Sequence, residues 1–397
     1  MKKTDLLIID YKSSGLKRYA VDICKKLKKI DSRLTIIVGF AEMDCEIKSP
    51  YMDDFIPLNK YDFDARKVID EYQPRAILVF AHRFLEYLFT IEAHKTNIVV
   101  FDFQHGFYMD STVISTLTIS NLTQIVRKKT NKLKVYLRCL FNMCNKSYFV
   151  LVKRLVDFIR YRSIYQVMSY AYGKECNADV SFIFGRYWIT FYAKQYLIDN
   201  TEFVIIGYPE LEGANMEVPQ NYFEDNKLPV VCYLAQTSVE DGLIKKSDFD
   251  VFISDLLHSL DKINLLIKLH PRSDKSLYEE MFFSQYAKHV KIWQEKEFPV
   301  ADAYIGHEST VIARALAHTN KVLVYRIKDN RISLFEQFTE YVSGAKGKFH
   351  EDFISMLTST GTSQNPNLND YVYWNKNEGA IQETANRIYN EIQYYEK

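Results

Sequence analysis

Short apolar runs, rich in β-branched and aromatic residues, alternate along this chain with stretches whose apolar residues recur at helical spacing. In the first half such runs occupy residues 6–10, 34–40, 76–82, 97–103, 180–185 and 203–207. The same rhythm restarts in the second half at residues 230–235, 265–269, 290–293, 303–306 and 321–326. Strands that alternate with helices are typical of βαβ units around a parallel sheet, so the restart predicts an α/β chain with two Rossmann-like lobes.

The length of 397 residues agrees with two lobes, because a single core rarely extends over so long a chain. A loop-rich stretch with several prolines separates the two series of runs. We therefore predict an N-terminal domain over residues 1–215, a C-terminal domain over 228–378 and a C-terminal helix over 379–397. In the second half, Ser247 and Asp250 have the spacing of a capping box, which predicts a helix start there.

Composition limits the partners that the chain can have. The formal net charge is only +1, which disfavours a nucleic-acid partner. The first apolar run is not followed by Gly-x-Gly-x-x-Gly, so no dinucleotide cofactor is expected. The chain has neither a secretory signal at its start nor an apolar stretch of about 18 residues, and we expect a cytoplasmic protein.

Residues 111–178 are too long for one connection between a strand and a helix, and they predict a helical insertion in the N-terminal lobe. Between Arg127 and Arg162 this segment has eleven Lys and Arg residues and a single acid, Asp157. A basic amphipathic segment suits an anionic membrane surface or a lipid-linked acceptor, which would place the protein at the inner face of the cell membrane. A solvated helical decoration is the alternative.

Two strand ends of the C-terminal lobe have residues that suit an anionic ligand. The run 265–269 is followed by His270 and Pro271, with Lys268 and Arg272 as flanking cations. About 35 residues later, the run 303–306 ends in Gly306-His307-Glu308-Ser309-Thr310, and the pattern predicts a helix that starts at Ser309 and Thr310. Ligands bind at the carboxyl edge of open parallel sheets, and a helix start offers free backbone N–H groups to anions.

These two motifs and the restarted Rossmann pattern resemble GT-B transferases that build bacterial surface polysaccharides in capsules and lipopolysaccharides. The similar families are sialyl- and polysialyltransferases, Kdo transferases and the glycerophosphotransferases of teichoic-acid synthesis. The resemblance is strongest over residues 180–327. It implies that His270, Ser309 and Thr310 bind the phosphate and cytidine of a CMP- or CDP-linked donor, in a site that the loop of Gln236, Thr237 and Ser238 also lines.

In the N-terminal lobe, the run 97–103 ends in Gln104-His105-Gly106. The teichoic-acid enzymes have a His-Gly pair at about this place, and the sialyltransferases have an acidic residue before the glycine. The resemblance therefore implies that His105 is the general base for the acceptor, a role that suits an imidazole near neutral pH. Asp102 and Asp110 are the alternative bases, and Arg186 is a candidate contact for an anionic acceptor.

The reaction expected from these residues is an inverting transfer, independent of metal and of any cofactor, onto a glycan or lipid-linked glycan. Asp62-Phe63-Asp64 and Asp248-Phe249-Asp250 imitate a metal-binding Asp-x-Asp motif, yet neither directly follows a strand, so no metal site is predicted. Three alternatives remain open. They are a UDP-sugar transferase, a sugar-nucleotide 2-epimerase and a non-catalytic scaffold of capsule assembly.

Overall fold

The protein consists of two compact units. The computed structural model describes residues 3–47, 49–107, 122–161, 163–198, 200–211, 222–225, 227–242, 244–270, 272–282, 288–295, 297–307, 309–327, 333–344, 348–360, 368–372 and 379–394. Of these, the first unit contains the residues up to Gly106, those of 122–209 and those from Asp370 onward. The second contains Phe107 and the residues from Glu210 to Asn369.

The first unit is built on a seven-stranded parallel sheet. Its strands are β1 (Thr4–Lys12), β2 (Ile36–Glu42), β3 (Asp54–Pro57), β4 (Pro74–Val79), β5 (Val99–Phe103), β6 (Val180–Ile183) and β7 (Glu202–Ile205). Their order across the sheet is β3-β2-β1-β4-β5-β6-β7. The chain therefore changes direction between β1 and β4, and the carboxyl ends of these two strands form the topological switch point where open sheets bind ligands.

Helices cover this sheet as the apolar pattern predicts. They are α1 (Ala20–Ile30), α2 (Ala65–Tyr72), α3 (Phe84–His94), α4 (Leu122–Met143), α5 (Tyr148–Tyr161), α6 (Ile164–Tyr172) and α7 (Tyr187–Phe191). The apolar residues that share one face of α1 and the turn before it are buried in the core. Helices α4 to α6 lie within the predicted insertion. Residues of all three pack against the hydrophobic core of the first unit, which also contains the apolar residues of α3.

The second unit repeats the plan with a six-stranded parallel sheet. Its strands are β8 (Val230–Leu234), β9 (Asn264–Lys268), β10 (Val290–Ile292), β11 (Ala303–Gly306), β12 (Val322–Arg326) and β13 (Tyr341–Gly344), in the order β10-β9-β8-β11-β12-β13. The helices are α8 (Lys246–Leu257), α9 (Lys275–Phe282), α10 (Ile312–His318) and α11 (Phe349–Thr358). The switch point of this sheet lies between β8 and β11.

The last segments of the chain return to the first unit. Short helix α12 (Leu368–Tyr371) reaches its edge, and α13 (Ala380–Tyr394) packs against α1. The predicted C-terminal helix is therefore part of the N-terminal unit. Among the described residues, no helix is both long enough and apolar enough to cross a membrane.

Two predicted helix starts are wrong. Helix α8 begins at Lys246 with Lys245 at its N-cap position, so Ser247 lies inside the first turn and is not a cap. Helix α10 begins at Ile312, two residues after Thr310, and its N-cap position is Val311. Ser309 and Thr310 form a preceding turn, whose carbonyl oxygens accept hydrogen bonds from the N–H groups of Ile312 (3.0 Å) and Ala313 (3.2 Å).

Candidate functional site

The switch point of the second sheet contains a cavity that is open to solvent, with a volume of about 340 Å³ including the open part. Its polar lining comes from the ends of three strands and the loops that follow them: Gln236, Ser238, His307, Arg326, Ser333 and Glu336. Gln236 and Ser238 follow β8, His307 follows β11, and Arg326 ends β12. Neighbouring parallel strands end at the same edge, so residues distant in the chain converge on one concave surface.

His307 is held in one orientation under this cavity. Its Nδ1 lies 2.8 Å from the carbonyl oxygen of Tyr325, and its Nε2 lies 3.1 Å from the Tyr233 hydroxyl. A carbonyl can only accept, so Nδ1 carries the proton and donates, and Nε2 accepts from the tyrosine. Burial lowers the pKa of His307 to about 4, and the imidazole is neutral at physiological pH.

Arg326 and Glu336 bring opposite charges to the cavity wall. The Arg326 Nε donates to Glu336 Oε1 at 2.9 Å. The same carboxylate oxygen accepts the backbone N–H of Ser333 at 2.9 Å, which closes a capping box at the start of the turn 333–338. The Ser333 N–H thereby fixes the carboxylate that orients the guanidinium. The cavity offers a cation, a carboxylate and two serine hydroxyls, a mixture that suits a ligand with both phosphate and hydroxyl groups.

The loops after β8 and β9 are joined by Arg272. Its Nη1 and Nη2 each lie 2.9 Å from one oxygen of Asp241, and Nη2 donates to the Thr237 hydroxyl at 3.0 Å. The guanidinium lowers the pKa of the Asp241 carboxyl. Thr237 lies between the cavity residues Gln236 and Ser238, so this bidentate contact orders the loop that lines the cavity.

His270 stands beside this loop, half-buried at the end of β9. The backbone N–H of Arg272 donates to its Nδ1 at 3.2 Å, so in the neutral ring Nε2 carries the proton. Burial, reinforced by the Arg272 charge, lowers the pKa of His270. The imidazole therefore presents Nε2 as a neutral hydrogen-bond donor.

The other residues predicted for the donor site occupy different surroundings. Lys268 donates from Nζ to the carbonyl oxygen of Glu297 at 3.1 Å, and burial lowers its pKa. Gly306 lies under α10, where an added Cβ would approach Ile312 to 3.0 Å. Ser309 and Thr310 are half-buried in the turn before α10. Pro271 and Glu308 lie outside the described residues.

At the edge of the first sheet, Gln104 shapes the turn that contains His105. The buried Gln104 amide donates to the carbonyl oxygen of Gly106 at 2.9 Å and accepts the backbone N–H of Phe184 at 2.8 Å. His105 is half-buried, with its ring 6.2 Å from that of Tyr19. The structure thus presents His105 on a rigid turn at the end of β5.

A buried ion cluster occupies the switch point of the same sheet. Arg83, just after β4, contacts Asp10 of β1 at 2.7 Å and also pairs with Glu86. Burial raises the pKa of Glu86, although the Arg83 charge opposes this shift. The N-terminal unit therefore has a charged centre at the carboxyl edge of β1 and β4, the usual place for a ligand.

The remaining acceptor-side candidates are dispersed. Arg186 is exposed at the N-cap position of α7. Asp102 is fully buried, accepts from the Ser181 hydroxyl at 3.2 Å and lies 3.4 Å from Nε2 of His82, so its carboxylate does not face solvent. Asp110 lies outside the described residues.

The two segments that imitate a metal motif have structural roles. Asp64 caps α2 through the backbone N–H of Lys67 and pairs with Lys146 at 2.8 Å. Asp250 pairs with Lys246 at 3.2 Å on the surface of α8. Within the described ranges, no three His, Cys, Asp or Glu side chains lie together as ligands for a metal ion.

Comparison with solved structures identifies the architecture. A variant of the wall teichoic acid polymerase TagF matches with a TM-score of 0.53 and 11% identity, over 99% of this chain and 90% of that one. The UDP-GlcNAc 2-epimerase from Methanocaldococcus jannaschii matches with a TM-score of 0.51 and 12% identity, over 98% and 100%. The chain has the GT-B fold. No family model matches this GT-B chain, and no curated protein sequence does.

Several site residues were missed from the sequence of this GT-B chain. Arg326 ends a predicted strand, so its position at the ligand edge could have been inferred. Ser333 and Glu336 have the Ser-x-x-Glu spacing of a capping box, which would have located the turn. Arg83 and Asp10 gave no comparable signal, because their pairing depends on which strands become neighbours in the sheet.

Proposed function

We propose that this protein is an inverting transferase that moves a glycosyl or polyol-phosphate group from a nucleotide donor onto a surface-polysaccharide acceptor. The observation that carries the proposal is the cavity at the switch point of the second sheet, with a neutral histidine, an oriented arginine and serine hydroxyls on its walls. A nucleoside monophosphate or diphosphate has phosphate and hydroxyl groups that these side chains can bind. The favoured donors are a CMP-activated acidic sugar, such as a sialic acid or Kdo, and a CDP-polyol.

The donor would bind to the C-terminal unit, with His270 acting on the departing phosphate. The acceptor oxygen bonds to the transferred group as the bond from that group to the nucleotide phosphate breaks. Negative charge then grows on the phosphate oxygen that leaves. The Nε2–H of His270 is oriented by the Arg272 backbone and can donate to that oxygen, which stabilises the transition state more than the bound donor.

The acceptor, a glycan or lipid-linked glycan, would bind to the N-terminal unit. His105 is the proposed base because the Gln104 side chain holds its turn at the end of β5. It would take the proton of the acceptor hydroxyl as the new bond forms. The fully buried Asp102 is a weaker candidate, because its carboxylate is not accessible to a substrate.

Titration calorimetry with CMP, CDP and UDP tests the donor site. We expect the cytidine nucleotides to bind, and His270→Ala to weaken binding or transfer by roughly 2–4 kcal/mol where the imidazole meets developing charge. His270→Gln is the matched variant, because its amide nitrogen can replace the Nε2–H donor, and it should recover part of the loss. Because the imidazole acts on the transition state more than on the bound donor, the rate of transfer is the deciding measurement, and equal rates in wild type, His270→Ala and His270→Gln would contradict the assignment.

Three other functions can be distinguished with the same preparation. A UDP-sugar transferase would prefer UDP over the cytidine nucleotides. A sugar-nucleotide 2-epimerase, the activity of the M. jannaschii neighbour, would convert its substrate with no acceptor present. A scaffold without catalytic activity would bind none of the three nucleotides.

A further inference from the structure

Helix α5 presents an apolar face to solvent. Its exposed apolar side chains are Tyr148 (75% exposed), Phe149 (83%), Val152 (59%), Leu155 (37%), Val156 (57%) and Ile159 (76%). The steps between positions 149, 152, 156 and 159 are three and four residues, which place these side chains on one side of a helix. A surface helix normally turns such a stripe toward the core, so this outward stripe is unusual.

The orientation of α5 is fixed by its opposite face. Val150, Leu151 and Phe158 pack on the core of the first unit. On the same inward side, Asp157 is buried and accepts from Arg154 at 3.0 Å. Turning the outward stripe toward the core would break this ion pair and expose the packed residues. The apolar stripe is therefore a stable part of the surface.

The exposed face of α5 is apolar and cationic, with no acidic side chain. Lys153 and Arg160 are exposed beside the stripe, and Asp157, the one acid of the helix, points inward. The preceding helix α4 adds exposed Leu133 and Leu137, together with the exposed base Lys134. Apolar side chains next to Lys and Arg are the composition that inserts at the boundary between headgroups and acyl chains.

We propose that the outward face of α5 docks the protein on a bilayer that contains anionic phospholipid. Phe149, Val152 and Ile159 enter the acyl boundary, and Lys153 and Arg160 contact the lipid phosphates. Contact between two copies of this face would bring like charges together, with no acid on the face to offset them. Nucleic acid would gain little from aliphatic side chains such as Val152 and Ile159, because bases stack on aromatic rings.

Co-sedimentation of the full chain with vesicles tests this surface. We expect binding to vesicles of phosphatidylcholine and phosphatidylglycerol, weaker binding to pure phosphatidylcholine, and a decrease as salt rises. The double variant Phe149→Ser/Ile159→Ser should bind at least tenfold more weakly. Lys153→Gln/Arg160→Gln should lose roughly 30-fold, since each base near an anionic surface contributes about a fivefold gain.

Matched controls come from exposed positions elsewhere in the first unit. Tyr394 of α13 is 76% exposed, as Ile159 is, and Tyr394→Ser should leave vesicle binding unchanged. Lys25→Gln/Lys29→Gln on α1 removes the same charge from exposed sites outside α5. Equal binding by wild type and the Phe149/Ile159 variant would overturn the proposal. A dimer that this variant dissociates in analytical ultracentrifugation, without any lipid effect, would assign the face to a second copy.

Discussion

Burial determines the protonation of the histidines at the strand ends of the second unit. His307 is sealed between Tyr233 and the Tyr325 carbonyl, and its pKa falls to about 4. His270 is half-buried beside a guanidinium, and its pKa is also lowered. Both are neutral hydrogen-bonding groups near pH 7. In the cavity wall the cation is therefore Arg326 and not His307.

The low pKa of His307 makes the stability of the protein depend on pH. In the unfolded state this histidine has a pKa of about 6.5 and binds a proton below that pH. In the folded state it binds the proton only near pH 4, so acid favours the unfolded state. The stabilising contribution is therefore complete above the unfolded pKa and is lost as pH falls toward 4. From pH 7 to pH 5 the loss is about 2 kcal/mol.

Urea unfolding at pH 7 and pH 5 measures this loss. His307→Gln keeps a polar amide at the site but does not titrate, so its stability should decrease less over the same interval. The other histidines are common to both proteins, and the difference between the two pH dependences isolates His307. An equal decrease in wild type and variant would contradict the prediction.

His105 is the residue on which the proposed chemistry of the first unit depends. His105→Ala should lower turnover by about 10² to 10⁴, the usual contribution of a general base, and should leave donor affinity unchanged. Added imidazole should restore part of the turnover if the missing group is a proton acceptor. Near-normal turnover in His105→Ala would transfer the role to another residue.

At the scale of elements, the backbone at Gly185, just after β6, lies close to the backbone of α12 at Asp370 and Tyr371. A Cβ at Gly185 would lie 2.3 Å from the carbonyl oxygen of Asp370, a backbone atom that cannot move alone. The indole of Trp188 donates to the carbonyl oxygen of Tyr371 at 2.8 Å, and the rings of Tyr187 and Tyr371 stack at 3.9 Å. The glycine is required because two backbone segments approach closely.

Gly185→Ala should therefore displace the segment around Tyr371 and destabilise the protein by about 1–3 kcal/mol. Urea unfolding measures the cost, and hydrogen exchange of the Trp188 indole reports the local displacement. Gly106→Ala is the matched control, because the nearest atom to its added Cβ is Arg18 Nη1 at 3.5 Å, an ordinary contact. Equal stability of the two variants would show that the segment adjusts without strain.

Periodicity predicted the central strands and one edge strand of each sheet, β7 and β10, but missed the opposite edge strand of each. Buried runs such as 76–82 and 303–306 gave β4 and β11, because strands covered on both faces are continuously apolar. The four-residue strands β3 and β13, with polar or half-buried residues, were missed. The starts of α8 and α10 were misplaced because Ser and Thr favour turns as well as caps.

Part of the candidate site could be predicted because its residues follow strands that the apolar pattern locates. The donor loop and the strand-end motif 303–310 led to Gln236, Ser238 and His307, and the structure brings these three to one cavity because β8 and β11 are neighbours. The contacts of Arg272 with Asp241 and of Arg83 with Asp10 depend on loop conformation and strand neighbours. A single sequence has no local signal for such contacts.

For the whole molecule, the fold and the charge distribution lead to a prediction on metal dependence. The phosphate of the donor would be met by Arg326 and by the His270 donor, which are groups of the chain itself. Turnover should therefore be unchanged in excess EDTA. An assay of donor consumption before and after chelation measures this, and complete loss that Mg²⁺ or Mn²⁺ restores would contradict it.

The return of the last helix to the first unit has a consequence for biosynthesis. A ribosome that has released the chain as far as Asn369 has made every strand of both sheets, yet α13, which packs against α1, is still to come. Apart from Phe107, the second unit is one continuous stretch of the chain from Glu210 to Asn369. The first unit also needs the residues from Asp370 onward, which are translated after the second unit. The half of the protein that is translated first is thus completed only after the second unit, once α13 can pack against α1.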